Sequence, residues 1–385
     1  MLAPTTTSYI ERFQSGHGWT VLGGGASVSD DTTDFILGSQ CASFATTTDG
    51  VARSVDKAGY SVDSTGNQLT ITFKITDTTN ITSMYLFAGD TAFSNYYQWT
   101  ICNDSTIDQF RWFKSNEWVT MTLNIGDAAV TGSPTRTIQK LRVRVGASNG
   151  AASTTVRLGG IGLTPEPSAW PNGVLSICFD DIYASTWTKA RAKMSQYGYP
   201  GTLYAISDRI SSTYMTADQL KALEAIGWDI GVHGNLSLPG LGPIAAQADV
   251  LREKAALAAL GFRGINHYAY PGGEYDVATM LMLKKHFTSC RTISYRQMET
   301  ARPADPMRLR AWSVSNSTST ASINALLATI KANKGWAILV FHDIDDTAAL
   351  STQYSTTNFG TVIDNINTLG IPVRTVADVL SGVST

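Results

Sequence analysis

Residues 175–181 read LSICFDD, an apolar run ending in two adjacent carboxylates. A strand buried on both faces has no reason to end on two charges unless water or a partner compensates them. Either the pair marks an acidic turn, or it marks a metal site with a base beside it. The flanking sequence decides the fold first. From residue 174 onward, short apolar runs alternate with helical stretches. Strands are expected at 174–179, 202–206, 228–233, 266–270, 288–294, 309–314, 336–341 and 371–375. Helices are expected at 186–197, ended by Gly198, at 216–227 behind a Thr216/Gln219 capping box, at 243–260, near 276–286 and at 359–369. Such alternation predicts a parallel sheet. About seven units of this kind suit a distorted (β/α) barrel, which gathers its chemistry at the C-terminal strand ends.

The first half has a different period. Stretches 68–76, 96–101, 109–113, 118–125 and 140–146 alternate apolar and polar residues at period two, and Gly/Asn/Ser turns separate them. This predicts an all-β sandwich or jelly roll over 1–165. TPEPSAWPNG (164–173) carries three prolines, which places a linker at 166–173 and the α/β unit at 174–385. Aromatic residues interleave with polar ones on the first-half strands: Tyr96, Tyr97, Trp99, Trp112, Phe113 and Trp118. On an outer face they would stack on sugar rings; on an inner face they are core. Carbohydrate binding, attachment to a larger particle and trimer formation all remain open for this half.

Composition excludes several classes. A net charge of -2 with 16% charged residues gives no electrostatic footprint for nucleic acid or an acidic membrane. No apolar run is long enough to span a bilayer, and the first residues show no signal-peptide pattern. The expected location is extracellular or on a virion surface, reached without a classical signal. Cys41, Cys102, Cys178 and Cys290 lack metal-binding spacing. A Cys41–Cys102 pair is conceivable in an oxidising compartment.

Polar residues fall where the strands end. Asp180 and Asp181 follow 174–179, His233 closes 228–232, Tyr270-Pro271 closes 266–270, and His342 follows 336–341. On these motifs the second half resembles the polysaccharide deacetylase family, which includes chitin and peptidoglycan deacetylases. The matching stretches are FDD (179–181), GWDIGVH (227–233), YAYPGGEYD (268–276), LVFHD (339–343) and the tail 358–380. The resemblance covers about residues 172–382. It implies a metal-dependent hydrolase that removes N- or O-linked acetyl from a polysaccharide. Asp180 would be the general base, Asp181 and His233 metal ligands, and His342 the acid for the leaving group. Tyr270, Pro271 and the Gly272 backbone would lie at the oxyanion, and Trp312 would form a substrate wall. The implied cofactor is one divalent ion, zinc first, with cobalt, nickel and manganese as alternatives. Two touching carboxylates repel, so one ionised on a cation and one free to take a proton is a sensible division.

The family pattern breaks at one point. A second histidine normally follows the first by four residues, but HGNLSLPGLG (233–242) has Ser237 there. Three resolutions stay open. Asn235 and Ser237 supply oxygen ligands; His267 swings in from the next strand; or the metal is lost and the protein is a non-catalytic glycan or receptor binder. The family's bracing arginine is also missing, because Ala269 stands in its place.

Overall fold

The computed structural model describes residues 6, 8–22, 27–103, 112–167, 169–294 and 298–382. It divides into two compact units, Met1–Glu166 with Pro303–Asp305, and Pro167–Arg302 with Pro306–Thr385.

The period-two segments of the first unit form two antiparallel six-stranded sheets. One runs Ser29–Asp31, Cys41–Ala45, Thr155–Pro165, Asn67–Ile75, Val119–Leu123, with Ser8–Glu11 also on Thr155–Pro165. The other runs Ala129–Thr131, Tyr96–Asn103, Ile81–Gly89, Thr137–Ala147, Arg53–Asp63, Thr20–Val21. Alternate residues of both, among them Leu69, Ile71, Phe73, Leu86 and Val143, fill one core. The strands expected at 68–76, 96–101, 118–125 and 140–146 are present with shifted ends. Most of the expected strand at 109–113 lies outside the described residues.

Alternation also sorts the aromatics. Trp99, Trp112 and Phe113 are core, and Tyr97 packs against it. Tyr96 takes the opposite face, where its ring lies 5.7 Å from Phe87 and 5.5 Å from Phe93. Trp118 is half-buried and donates its indole N–H to Asp34 Oδ1 at 3.0 Å. The conceived Cys41–Cys102 disulfide is absent; all four cysteines are buried and none forms a disulfide.

In the second unit we label the strands β1 (Val174–Asp180), β2 (Thr202–Ala205), β3 (Asp229–His233), β4 (His267–Ala269), β5 (Ser289–Arg291), β6 (Trp312–Ser313) and β7 (Trp336–Phe341). They make one parallel sheet in the order β5-β4-β3-β2-β1-β7-β6. The sheet curls as a half-barrel. Leu309 lies along β5, with Thr292 N–H donating to its carbonyl at 2.9 Å, and β6 follows at once beside β7. One segment therefore touches both edges.

Period two splits β1 between two environments. Leu175, Ile177 and Phe179 pack under the helices with Leu223, Phe359 and Ile363. Val174 and Cys178 face the concave side with Tyr204, Ala269, Ile338 and Val340. Asp180 continues the concave row. Buried on both faces, β1 reads as a continuous apolar run, as parallel strands do.

The capping box forms: Gln219 N–H donates to Thr216 Oγ1 at 3.3 Å, and Thr216 N–H to Gln219 Oε1 at 2.9 Å. Segment 186–197 is helical throughout but changes pitch, from a π turn through α to 3₁₀, and Gly198 at φ 66° ends it. The helix near 276–286 shortens to Val277–Leu283, and helix Thr320–Asn333 fills a stretch given no element above. The strand expected at 371–375 is not one. Those residues make a single bridge, Val373 to Leu175, before helix Val376–Ser381. No described helix is long and apolar enough to cross a membrane.

Candidate active site

Four concave-face positions at the C-terminal strand ends build the site. β1 brings Asp180, β3 brings His233, β5 brings Arg291, and the residue after β7 is His342. Asp181 follows Asp180 out of the strand. Asp181 and Ile182 both hold left-handed backbone, φ 70° and 53°. That conformation costs about 1–3 kcal/mol per non-glycine residue. Ile182, fully buried in the core, anchors the turn. The strained turn keeps both carboxylates on one cavity rather than on opposite sides of the strand.

The cavity has a volume of about 180 Å³. Asp180, Asp181, Arg209, His233, Asn235 and His342 line its polar side, and Ile206, Gly234, Tyr270, Pro271, Gly272 and Ile293 complete it.

Asp180 is 3% exposed. Its Oδ2 accepts from Arg291 Nη2 at 2.5 Å, and Arg291 is itself fully buried. Burial pushes the Asp180 carboxyl up. The Arg291 charge, then those of His233 and His342, outweigh burial and hold it below the usual carboxylate range. The other oxygen, Oδ1, is buried and has no protein partner. His233 Nδ1 lies 2.8 Å from the Ala269 carbonyl, which can only accept. Nδ1 is therefore the donor in this bond, and Nε2 lies 3.8 Å from Asp181 Oδ1 and 4.0 Å from Asp180 Oδ2. His342 Nε2 lies 4.0 Å from the same Asp180 oxygen. Its neighbour Asp343 is held by Ser185 Oγ at 2.6 Å and Gln353 Nε2 at 3.0 Å, which fixes the start of the loop.

Other expected residues lie elsewhere. His267 is at the opposite end of β4, bonded to Ser289 Oγ at 2.8 Å, and does not line the cavity. Two residues of strand, about 6.6 Å, separate it from Ala269. Ser237 is exposed and away from the cavity. Asn235 lines it, but its Oδ1 accepts from Arg209 Nη2 at 3.3 Å. Trp312 is buried among apolar side chains and forms no wall. Tyr270 contributes its ring; its hydroxyl donates to the Met307 carbonyl at 3.1 Å.

Sequence reasoning missed two residues, both arginines. Arg291 pairs in register with Ala269 on the neighbouring strand, so both point to the concave face. The bracing guanidinium absent at position 269 arrives from β5 instead. Arg209, in the turn after β2, places Nη1 3.0 Å from Asp181 Oδ1. An arginine four residues past a strand end was the available signal for it.

Whether a divalent ion fits can be judged from these donors. His233 is oriented as a ligand, its far nitrogen tied to a carbonyl. Asp181 is already matched by Arg209, and Asp180 by Arg291. Among the described residues no cluster of three or more His, Cys, Asp or Glu side chains is arranged to hold a metal. Two unit charges about 4 Å apart interact by about 4 kcal/mol at an effective dielectric of about 20, and a dication beside a guanidinium meets about twice that. The donor set present does not fit a resident divalent ion.

A family model for polysaccharide deacetylase matches residues 169–288. This span contains Asp180, Asp181, His233 and Tyr270; Arg291 and His342 lie beyond it. No curated protein matches the chain. Among solved structures, the Xyl-CE4 domain of a multidomain xylanase from the hindgut metagenome of Trinervitermes trinervoides is 15% identical, covering 55% of this chain and 90% of that one at a TM-score of 0.40. A family 4 acetyl xylan esterase from Clostridium thermocellum, in complex with a cobalt ion, is 14% identical over 54% and 90%, at 0.40. Peptidoglycan deacetylase PdaC from Bacillus subtilis is 14% identical over 55% and 92%, at 0.40.

Proposed function

We propose that the second unit hydrolyses acetyl groups carried by a polysaccharide. The observation that carries this reading is the buried Asp180–Arg291 pair at a cavity that Asp180 lines together with His233 and His342. The family match over 169–288 supports it. Water held by the Asp180 carboxylate attacks the acetyl carbon: a C–O bond forms and the water proton passes to Asp180. The bond from the acetyl carbon to the sugar oxygen or nitrogen then breaks. His342 gives the leaving atom a proton, so that acetate and a free hydroxyl or amine result. Asp180 and His342, 4.0 Å apart, then exchange the proton through one water and restore the starting state. Arg291 keeps Asp180 ionised and oriented and is a positioning residue.

Zinc, cobalt, nickel or manganese would find only Asp181 and His233 as protein donors here, with the Arg209 guanidinium already on Asp181, and no step above passes through such an ion. For the first unit we propose glycan binding, supported by the rings of Tyr96 and Phe93 on the non-core face with Arg142 4.4 Å from the Phe93 ring centroid. An acetylated bacterial surface glycan, met outside the cell or from a virion, suits both readings.

The test is acetate release from a panel of O- and N-acetylated glycans. We expect release by the wild type and loss in Asp180→Asn, by about 10²–10⁴-fold for removal of a general base. Release that persists in Asp180→Asn, with His342→Ala equally active, would refute the assignment.

A further inference from the structure

We propose that the resident cation of this pocket is the Arg209 guanidinium, in place of a divalent ion, and that it receives the acyl oxygen of an O-acetyl ester. The chemical half of this rests on the acetyl-hydrolase reading; the metal half is measurable without any substrate.

Arg209 is a built feature of the pocket. The turn Ser207–Arg209 is clasped to helix Pro243–Ala259. Glu253, fully buried, accepts the Ser207 N–H at 2.7 Å and Arg252 Nη2 at 2.7 Å. Arg252 Nη1 in turn holds both oxygens of Asp208 at 2.9 Å. The residue after Asp208 is thereby aimed inward. Its two terminal nitrogens take the two oxygens on this side of the cavity, Asp181 Oδ1 at 3.0 Å and Asn235 Oδ1 at 3.3 Å, and its Cζ lies 5.4 Å from the Tyr214 ring centroid. These are two of the oxygens a metal would use. A guanidinium keeps its charge throughout the working pH range and cannot become a ligand. Each carboxylate of the site has its own arginine, Asp181 at 3.0 Å from Arg209 and Asp180 at 2.5 Å from Arg291.

The substitution has a chemical consequence. A guanidinium supplies charge and N–H donors to a developing oxyanion, as arginines do elsewhere. It does not generate a bound hydroxide, as a metal does. The nucleophile is then plain water activated by Asp180 alone. That suits an ester, whose carbonyl is more electrophilic and whose alkoxide leaves more readily than an amide's amine. The balance is ester plus water to acetate, a released proton and the sugar hydroxyl, with no co-reactant.

The test uses the full chain, purified without chelator and equilibrated with zinc or cobalt. Bound metal is read by mass spectrometry and by competition with a chromophoric chelator. We expect no stoichiometric metal in the wild type or in Arg209→Lys. Arg209→Ala should bind zinc at least about tenfold more tightly, and that gain should vanish in Arg209→Ala/Asp181→Asn. A wild type that holds one ion, lost in Asp181→Asn, overturns the proposal, as does an Arg209→Ala variant with unchanged affinity. In the activity arm, chelator should leave ester cleavage intact, and O-acetylated xylan should be cleaved over N-acetylated chitin oligomers. Cleavage of the amide alone overturns the substrate half. If no substrate yields acetate with or without metal, the hydrolase reading fails, while the metal titration still decides what Arg209 does.

Discussion

Arg291→Met isolates the strongest electrostatic contact of the site. Arg291 has no exposed surface, and the Asp180 side chain is 5% exposed, with 2.5 Å between Nη2 and Oδ2. Solvent cannot replace the lost charge. Removing one partner of a buried pair costs about 3–5 kcal/mol, a large part of the roughly 5–15 kcal/mol that holds a typical domain folded. Asp180→Asn should cost a similar amount, because it strands the guanidinium. The double variant Asp180→Asn/Arg291→Met leaves neither charge and should recover most of the loss, a coupling at or above the roughly 0.5–3 kcal/mol seen for contacting residues.

The pH dependence follows with its sign. In the wild type Asp180 lies below its unfolded value of about 3.9, so its stabilisation is present above that pH and lost as pH falls through the folded pKa. Without Arg291, burial, the largest influence on this carboxyl, pushes it upward. The variant's deficit should then be largest at neutral pH and shrink on acidification, as Asp180 takes up a proton. Urea denaturation of all four proteins at neutral and mildly acidic pH measures this. The acid limb of kcat/KM should also move to higher pH in Arg291→Met, which a purely structural role would not produce. A loss under about 1 kcal/mol at neutral pH, or single-variant losses that simply add in the double, would refute the reasoning.

The Tyr-Pro-Gly-Gly turn separates two glycine roles. Gly273, at φ +72°, would bring a Cβ within 2.8 Å of the Ile293 backbone nitrogen. Gly273→Ala should cost about 2–3 kcal/mol and perturb the cavity wall. Gly272, at φ +61°, meets nothing closer than 3.9 Å, and Gly272→Ala should cost about 1 kcal/mol in the same thermal denaturation series. His267 gives a second pH effect. Burial, with Lys254 nearby, holds it down at about 4. The unfolded chain binds that proton first, so stability should fall as pH drops from about 6.5 toward 4, by about 2–3 kcal/mol from this residue. His267→Gln should flatten the curve in that window, and an unchanged slope would contradict the assignment.

Much of the fold was legible because period is a local property. The change from period two to alternating strand and helix near residue 174 follows from which faces are buried. The Thr216/Gln219 box and Gly198 act within a turn. What local pattern could not supply was partner choice. The segment 371–375 has strand composition, yet it touches β1 by one bridge and then yields to a helix. Aromatic strand residues in the first unit looked alike until pairing set the faces, which put Trp99 in the core and Tyr96 opposite.

The site shows the same division at the level of charge. Asp180, His233 and His342 were legible because each closes a strand of one parallel sheet, so alternation alone sends them to a common cavity. The cations were not, because a compensating charge can come from any neighbour in space. Ala269 and Arg291 occupy one register row on adjacent strands. A small residue on β4 leaves room for the long side chain from β5, and the guanidinium reaches Asp180 from there. At Asp181, a loop arginine reaches the carboxylate where a metal ion was expected. A buried carboxylate calls for a cation beside it, but fixes neither the strand that delivers it nor whether it is a metal. That is why the residues at the strand ends could be placed on one cavity from sequence, while the arginines beside them required the geometry.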